Sequence, residues 1–214
     1  MPEILYADAA VAVVVKPAGV LSQGDAENAM PALLQKQLSG TIFPVHRLDQ
    51  PTGGVMVYAR TQDAAAKLSA QMQSEAFGKE YLAVLDGTPE PTEGELHDLL
   101  FFDRQKGKSY AVRRKRAGVK DARLAYRVLA QAEGLTLVRV RLFTGRTHQI
   151  RVQFSSRGWP LTGDGKYGSR NNRCAPALWS AELHFAHPVT GETLIFRSQP
   201  PEAYPWTLFS PDSL

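Results

Sequence analysis

The chain has 214 residues and a net charge of +4, and its 43% hydrophobic and 21% charged content is typical of a folded globular protein. Its single cysteine, Cys174, excludes an internal disulfide and fits a reducing compartment. The sequence contains neither a signal-peptide pattern nor an apolar run long enough to span a bilayer, so we expect a cytoplasmic protein with no membrane partner.

The first third of the chain is predicted to contain two apolar strands and two helices. The strands are residues 11–15 and 55–60, and the helices are residues 28–38 and 63–76. Asp63 is the predicted N-cap of the second helix, whose apolar residues up to Ala76 fall on one face.

Four further strands and one helix are predicted downstream. The strands are residues 81–85, 124–129, 135–143 and 194–196. A turn at Glu133-Gly134 makes the middle two an antiparallel pair, and Thr147 is predicted to cap a short helix. Strands joined by short turns, with few helices, indicate an α+β fold with a mixed, largely antiparallel sheet and flanking helices. We expect one domain over residues 1–214.

The positive charge is concentrated in one segment. Residues 104–127 contain ten basic residues and one acid, a local charge of +9, which leaves −5 for the rest of the chain. Such a segment favours a surface that binds a polyanion. The alternative is a solvated hairpin whose cations keep an edge strand soluble. The centre of the segment is Arg113, Arg114, Lys115 and Arg116.

A loop in front of a predicted strand carries the most informative motif. The sequence His46-Arg47-Leu48-Asp49-Gln50-Pro51-Thr52-Gly53-Gly54 places one carboxylate between a cation and a flexible glycine turn. A rigid strand next to such a loop is a common setting for a reactive group. The alternative is an aspartate that only caps its own turn.

A second motif, Thr144 to Arg151, places Arg146 at a strand-to-helix corner. A guanidinium held there could pair with a carboxylate in a planar fork, although an isolated arginine of this kind is more often a surface residue. Tyr81, at the start of a strand, would ordinarily belong to the core.

Other classes of site lack support in the sequence. Gly163-x-Gly165-x-x-Gly168 matches a dinucleotide-binding pattern, but it neither follows a predicted strand nor opens a predicted helix. Five scattered histidines and one cysteine give no metal-ligand spacing. The nucleophile elbow of the serine hydrolases is also missing from the sequence.

The chain resembles the RluA-type pseudouridine synthases in an ordered set of motifs. These are Lys16-Pro17-Ala18-Gly19, His46-Arg47-Leu48-Asp49 with Thr52, Lys79 with Tyr81, Gly145 to Arg151, Gly163-Asp164 with Tyr167-Gly168, and Leu183-His184. The family pattern usually has serine at the place of Gly53. Many relatives carry an N-terminal RNA-binding domain of the S4 type. This chain starts at the catalytic region and so resembles compact members that have no separate RNA-binding domain.

The resemblance implies an isomerase that converts uridine to pseudouridine in structured RNA, without a cofactor or a metal. The glycosidic bond from N1 breaks, the uracil rotates, and C5 bonds to the sugar. Asp49 is implied as the essential carboxylate, and its role as nucleophile, charge stabiliser or base stays open. Arg146 would pair with Asp49 and keep it ionised, and Tyr81 would stack on the base.

The same resemblance implies how the substrate is held. The target uridine is flipped out of its stack, and Arg47 fills the vacated place. Ile150 and Leu183 form apolar walls of the pocket. The other predicted contacts in the matching loop are His46, Leu48 and Thr52. Arg113, Arg114, Lys115 and Arg116 are predicted to hold the RNA backbone, an assignment that rests on charge and not on the motifs. We expect a stem-loop of ribosomal or transfer RNA as the partner and a monomeric protein.

Two other functions remain open on the sequence. A catalytically idle RNA-binding or RNA-folding module would use the same basic surface without needing Asp49. A carboxylate-dependent hydrolase of nucleosides or glycosides would need a second catalytic carboxylate. Asp164 is the candidate for it, although its glycine-rich setting favours a role in a turn.

Overall fold

The computed structural model describes residues 1–72, 74 and 76–214, which form two compact units. The first unit comprises Met1–Glu80 and Trp179–Pro200, and the second comprises Tyr81–Leu178 and Pro201–Leu214. In chain order the elements are β1 (Glu3–Ala7), β2 (Val11–Lys16), α1 (Met30–Leu38), β3 (Phe43–Pro44), β4 (Gly53–Ala59), α2 (Gln62–Gln71), β5 (Gly78–Asp86), β6 (Glu93–Asp103), β7 (Lys108–Val112), β8 (Val119–Ala132), β9 (Leu135–Leu142), α3 (Gln149–Ser155), β10 (Leu178–Ala186) and β11 (Thr193–Arg197).

In the first unit, β4 lies at the centre of the sheet. The strand order is β1-β2-β4-β10, with β3 also paired to β4 and β11 to β10. Every pair is antiparallel except β4 with β10, which is parallel. All seven residues of β4 are buried, so the strand that follows the Asp49 motif is rigidly embedded.

The core of the first unit forms where α2 packs on this sheet. Val13 and Val57 from the sheet lie in one apolar cluster with Leu68 of α2. The prediction that Asp63 is the N-cap of α2 is wrong. The N-cap is Thr61, whose Oγ1 accepts a hydrogen bond from the Ala64 N–H at 3.1 Å. The helix also ends at Gln71 and not at Ala76; positions 73 and 75 of the predicted helix lie outside the described residues.

The second unit has the strand order β5-β9-β8-β6-β7. The strand β8 is antiparallel to both β6 and β9, and β7 is the last strand in this order, antiparallel to β6. Helix α3 packs against β6 and β7, and its Phe154 meets Tyr126 of β8 edge to face at 5.4 Å between ring centroids. The predicted α+β class with a mixed, largely antiparallel sheet is confirmed.

Residues 93–112 form two strands that the sequence pattern did not predict, and the strand predicted at 124–129 extends over residues 119–132. The basic segment, residues 104–127, therefore consists of the turn after β6, the whole of β7, the turn between β7 and β8, and the first part of β8. Thr147 does not cap α3; His148 occupies that position in a left-handed conformation, with φ of 55°, and makes no side-chain cap. The assignment of one domain over residues 1–214 stays a prediction.

Candidate active site

The loop that carries Asp49 is held through its main chain. The Asp49 carbonyl accepts a hydrogen bond from the Thr52 N–H at 3.0 Å, which closes a tight turn. The carbonyl of the buried Leu48 accepts one from Ser22 Oγ at 3.0 Å. Asp49 itself is half-buried. The turn therefore fixes the backbone on both sides of the carboxylate.

His46 anchors the start of this loop to the central strand. Its Nε2 accepts a hydrogen bond from the Val57 N–H at 3.1 Å, so the ring proton lies on Nδ1. Its ring meets Phe77 edge to face at 5.7 Å. Burial, together with the charge of Lys79, lowers the pKa of His46 to about 3. The imidazole is therefore neutral at physiological pH and acts as an acceptor.

Lys16 clamps the other side of the loop. The side chain is fully buried, and its Nζ donates to the carbonyls of Pro17 at 2.9 Å, Val20 at 2.6 Å and Gln50 at 3.1 Å. Burial lowers its pKa to about 8, although the negative charge of Asp49 opposes this effect. At neutral pH the ammonium group thus has three N–H donors for three carbonyls. We call this set of contacts the lysine clamp.

The glycine pair after Thr52 is required by close packing. Gly54 has φ of +116°, and a Cβ there would overlap the main chain of Ser180. A Cβ on Gly53 would overlap the indole ring of Trp179, which is buried and donates from Nε1 to the Ser198 carbonyl at 3.0 Å. The Trp179 ring therefore leaves no room for a side chain at position 53, where the family pattern usually has serine.

In the second unit, Gln149 organises the segment that carries Arg146. The buried Gln149 Oε1 accepts hydrogen bonds from the Arg146 N–H at 3.0 Å and from Thr144 Oγ1 at 2.7 Å, and its Nε2 donates to the Arg123 carbonyl at 3.0 Å. Arg146 is half-buried, and its Nε donates to the Asp121 carbonyl at 2.8 Å. The Gln149 side chain therefore fixes the turn that leads into α3, whose N-cap residue, His148, makes no side-chain cap.

A buried ion pair next to this segment was missed by sequence reasoning. Arg151 donates from Nε to Asp164 Oδ2 at 2.6 Å and from Nη2 to Oδ1 at 2.8 Å, with the two side chains 6% and 1% exposed. The guanidinium also lies 5.0 Å from the centre of the Tyr167 ring. Both oxygens of the Asp164 carboxylate therefore accept hydrogen bonds from Arg151. This contradicts the expectation that Asp164 serves only to form a turn.

The other predicted site residues differ in exposure. Tyr81, Ile150 and Leu183 are buried, whereas Arg47 is exposed. Thr52 is buried, and its Oγ1 has no hydrogen-bond partner within the described part of the chain. Leu183 belongs to the apolar cluster of the first unit. These positions give no test of substrate contact, so the assigned roles stay predictions.

The centre of the basic segment is a turn between β7 and β8. Its four cations, Arg113, Arg114, Lys115 and Arg116, are exposed. Lys115 Nζ lies 3.2 Å from Asp121 Oδ2, and this contact lowers the pKa of the Asp121 carboxyl. The Arg116 guanidinium lies 4.9 Å from the centre of the Phe101 ring. This turn flanks β7, the last strand in the order of the second unit. Its position fits a surface that binds a polyanion, and it equally fits a solvated hairpin whose cations keep an edge strand soluble.

Across residues 1–72, 74 and 76–214, no helix is long and apolar enough to cross a membrane. The same residues contain no group of three or more His, Cys, Asp or Glu side chains arranged to hold a metal ion.

Comparison with known proteins identifies the family. Residues 10–156 match the model of the RNA pseudouridylate synthase family. The chain is 33% identical to the ribosomal large subunit pseudouridine synthase D of Zymomonas mobilis, over 94% of this chain and 69% of that protein. The enzyme of the same name from Pseudomonas aeruginosa is 35% identical, over 96% and 70%.

Solved structures agree with this assignment. Human RNA pseudouridylate synthase domain containing 4 superposes with a TM-score of 0.76 at 25% identity, covering 93% of this chain and 88% of that one. Human RNA pseudouridylate synthase domain containing 1 shares the fold, with a TM-score of 0.79 at 23% identity, covering 95% and 85%. The chain therefore belongs to the RNA pseudouridylate synthase family, whose members are isomerases that convert uridine in RNA to pseudouridine.

Proposed function

We propose that this isomerase acts on ribosomal RNA of the large subunit. The observation that carries the proposal is the match to two relatives named as ribosomal large subunit synthases, at 33% and 35% identity over more than nine-tenths of the chain. A transfer RNA stem-loop is the competing substrate. We further propose that the protein acts as a monomer, which its molar mass in solution would test.

The proposed catalytic carboxylate is Asp49. The reaction needs an anionic group beside the anomeric carbon while the bond to N1 breaks and the bond to C5 forms. The support is local: the main chain on either side of Asp49 is fixed by Ser22, by the Thr52 turn and by the lysine clamp. A carboxylate held in this way needs little reorganisation as charge develops on the sugar.

Arg146 is proposed as the guanidinium that keeps Asp49 ionised, and Tyr81 as the ring that stacks on the uracil. The resemblance supports both assignments, and the contacts of Gln149 support a fixed position for the Arg146 main chain. Arg47 is proposed to fill the space of the flipped nucleotide, with Ile150 and Leu183 as apolar contacts. Arg113, Arg114, Lys115 and Arg116 are proposed to contact phosphates.

The test compares Asp49→Asn with Asp25→Asn, an exposed acid of the same unit. Pseudouridine is mapped in ribosomal and transfer RNA from cells that lack the protein and carry either variant. The proposal expects a ribosomal site that returns with Asp25→Asn and stays unmodified with Asp49→Asn, although RNA binding is retained. Restored modification by Asp49→Asn would contradict the catalytic assignment, and restoration confined to transfer RNA would contradict the substrate.

The products separate isomerisation from the hydrolase alternative. Isomerisation conserves the mass of the RNA, because the proton lost from C5 is matched by one gained at N1. Hydrolysis would instead release free uracil. Both carboxylate oxygens of Asp164 also pair with Arg151, which argues against Asp164 as the second catalytic carboxylate of a hydrolase.

A further inference from the structure

An exposed aromatic residue follows the end of β9, directly before the segment that carries Arg146. Phe143 is 40% exposed, yet its N–H donates to the Arg123 carbonyl at 3.1 Å and so extends the pairing of β9 with β8. Two guanidinium groups lie near its ring, Arg123 at 5.2 Å and Arg141 at 5.5 Å from the centroid. These three residues form one surface cluster, which we call the Phe143 cluster.

The register of the sheet explains why these side chains meet. Arg141 of β9 lies opposite Ala125 of β8. Phe143 follows Arg141 by two residues, and Arg123 precedes Ala125 by two residues. Because side chains alternate between faces, Arg123, Arg141 and Phe143 share one face of the sheet. Arg127 shares that face and is exposed.

The backbone under the cluster is rigid. The Arg123 N–H donates to Thr144 Oγ1 at 2.9 Å, and Thr144 Oγ1 in turn donates to Gln149 Oε1. Gln149 also holds the Arg146 N–H. A ligand bound on Phe143 would therefore be held at a fixed place relative to the Arg146 segment.

The chemistry of the cluster fits an unpaired nucleobase. Proteins that bind single-stranded RNA stack bases on aromatic rings and on guanidinium planes, with cations alongside for the phosphates. Exposed carboxylates also share this face: Glu95 pairs with Arg123 at 3.1 Å, and Glu93 lies opposite Arg127. Four arginines, Arg123, Arg127, Arg139 and Arg141, outnumber these two acids. The net positive charge favours a polyanion over an apolar protein segment.

We propose that Phe143, with Arg123 and Arg141, is a stacking site for an unpaired nucleobase of the RNA substrate, separate from the proposed catalytic residues. The site would take one nucleotide of a loop or single strand near the target uridine. The inference rests on the action of the family on RNA and is independent of the assignment of Asp49.

The test uses a ten-nucleotide oligouridylate and an abasic oligomer of the same length. Phe143→Leu keeps the apolar volume but removes the flat ring, and it should weaken binding of oligouridylate by about tenfold without changing the dependence on salt. Binding of the abasic oligomer should not change. Phe143→Trp should retain affinity and add fluorescence quenching on binding. Arg141→Gln should lower the salt slope by about 0.7.

Ile195→Leu, an exposed apolar residue of β11, is the matched control and should bind like the wild type. Equal affinity of Phe143→Leu and the wild type for oligouridylate would overturn the proposal, as would an equal loss with the abasic oligomer or failure of the wild type to bind oligouridylate. Failure of the proposed function would show separately, as a lack of pseudouridine formation by the wild type.

Discussion

Replacement of Lys16 by methionine tests whether the lysine clamp positions the Asp49 loop. The change keeps a long apolar side chain but leaves the carbonyls of Pro17, Val20 and Gln50 without this donor. Gln50 O still accepts from the Gly19 N–H at 2.8 Å, so two carbonyls lose their main partner, at a cost of about 1 kcal/mol each. Relief from burying a charge offsets part of this loss.

The difference in the free energy of unfolding between the wild type and Lys16→Met should depend on pH. The pKa of Lys16 is about 8 in the folded chain against 10.5 for an ordinary lysine, so between these values the unfolded chain binds more protons. The free energy of unfolding of the wild type should therefore rise with pH across this window, by up to about 3 kcal/mol. Lys16→Met lacks this gain, and its stability deficit should widen as the pH rises from 8 to 10.

The assay is urea unfolding at pH 7, 8.5 and 10, together with kcat for pseudouridine formation at pH 7. Lys36→Met, an exposed lysine of α1, is the control, and groups common to both proteins cancel in the comparison. We expect kcat to fall by about a hundredfold if the Asp49 backbone shifts by about 1 Å. A stability difference that is independent of pH, or a kcat equal to that of the wild type, would refute the reasoning.

Three further substitutions test contacts that lie within one unit or the other. Gly53→Ser should lower the melting temperature, because its Cβ would overlap Trp179, and the added change Trp179→Ala should cost less in the Gly53→Ser background than in the wild type; strict additivity would contradict the contact. Asp164→Asn should destabilise the chain by about 3–5 kcal/mol in urea unfolding, because it leaves the buried Arg151 without its anion, whereas Asp63→Asn, in the exposed pair with Lys67, should cost less than about 1 kcal/mol. His46→Gln should flatten the decline in stability below about pH 6.5, because the folded pKa of His46, about 3, lies below its unfolded value and the unfolded chain alone gains a proton in that range. An unchanged profile between pH 4 and 6.5 would contradict a neutral His46 imidazole in the folded chain.

The sequence predicts what depends on local pattern. The loop around Asp49 ends at β4 as expected, because seven successive apolar or small residues favour a buried strand. The antiparallel pair of β8 and β9 and the turn at Glu133-Gly134 also follow from alternation and a glycine. These features need no information from distant parts of the chain.

Other features depend on contacts that a local pattern does not contain. Residues 93–112 form strands whose alternation is obscured by charged side chains on an exposed face. Lysine is among the residues most rarely buried, so the sequence predicts only that Lys16 ends a strand. Its burial and its three carbonyl partners appear only in the folded structure. The pairing of Arg151 with Asp164 likewise needs the fold, because a glycine-rich segment by itself indicates only a turn.

The contacts that hold the Asp49 loop share one property: each acts on a main-chain atom. His46 accepts from Val57 N–H, Ser22 donates to the Leu48 carbonyl, and Lys16 donates to the Gln50 carbonyl. These hydrogen bonds fix the path of the chain on both sides of Asp49, and the Lys16 ammonium also interacts with the charge of Asp49. Burial of a lysine and of a neutral histidine carries a desolvation cost, and the rigid backbone that they produce is what a preorganised carboxylate requires. A substitution at any of these anchors should therefore lower kcat more than it raises KM for the RNA.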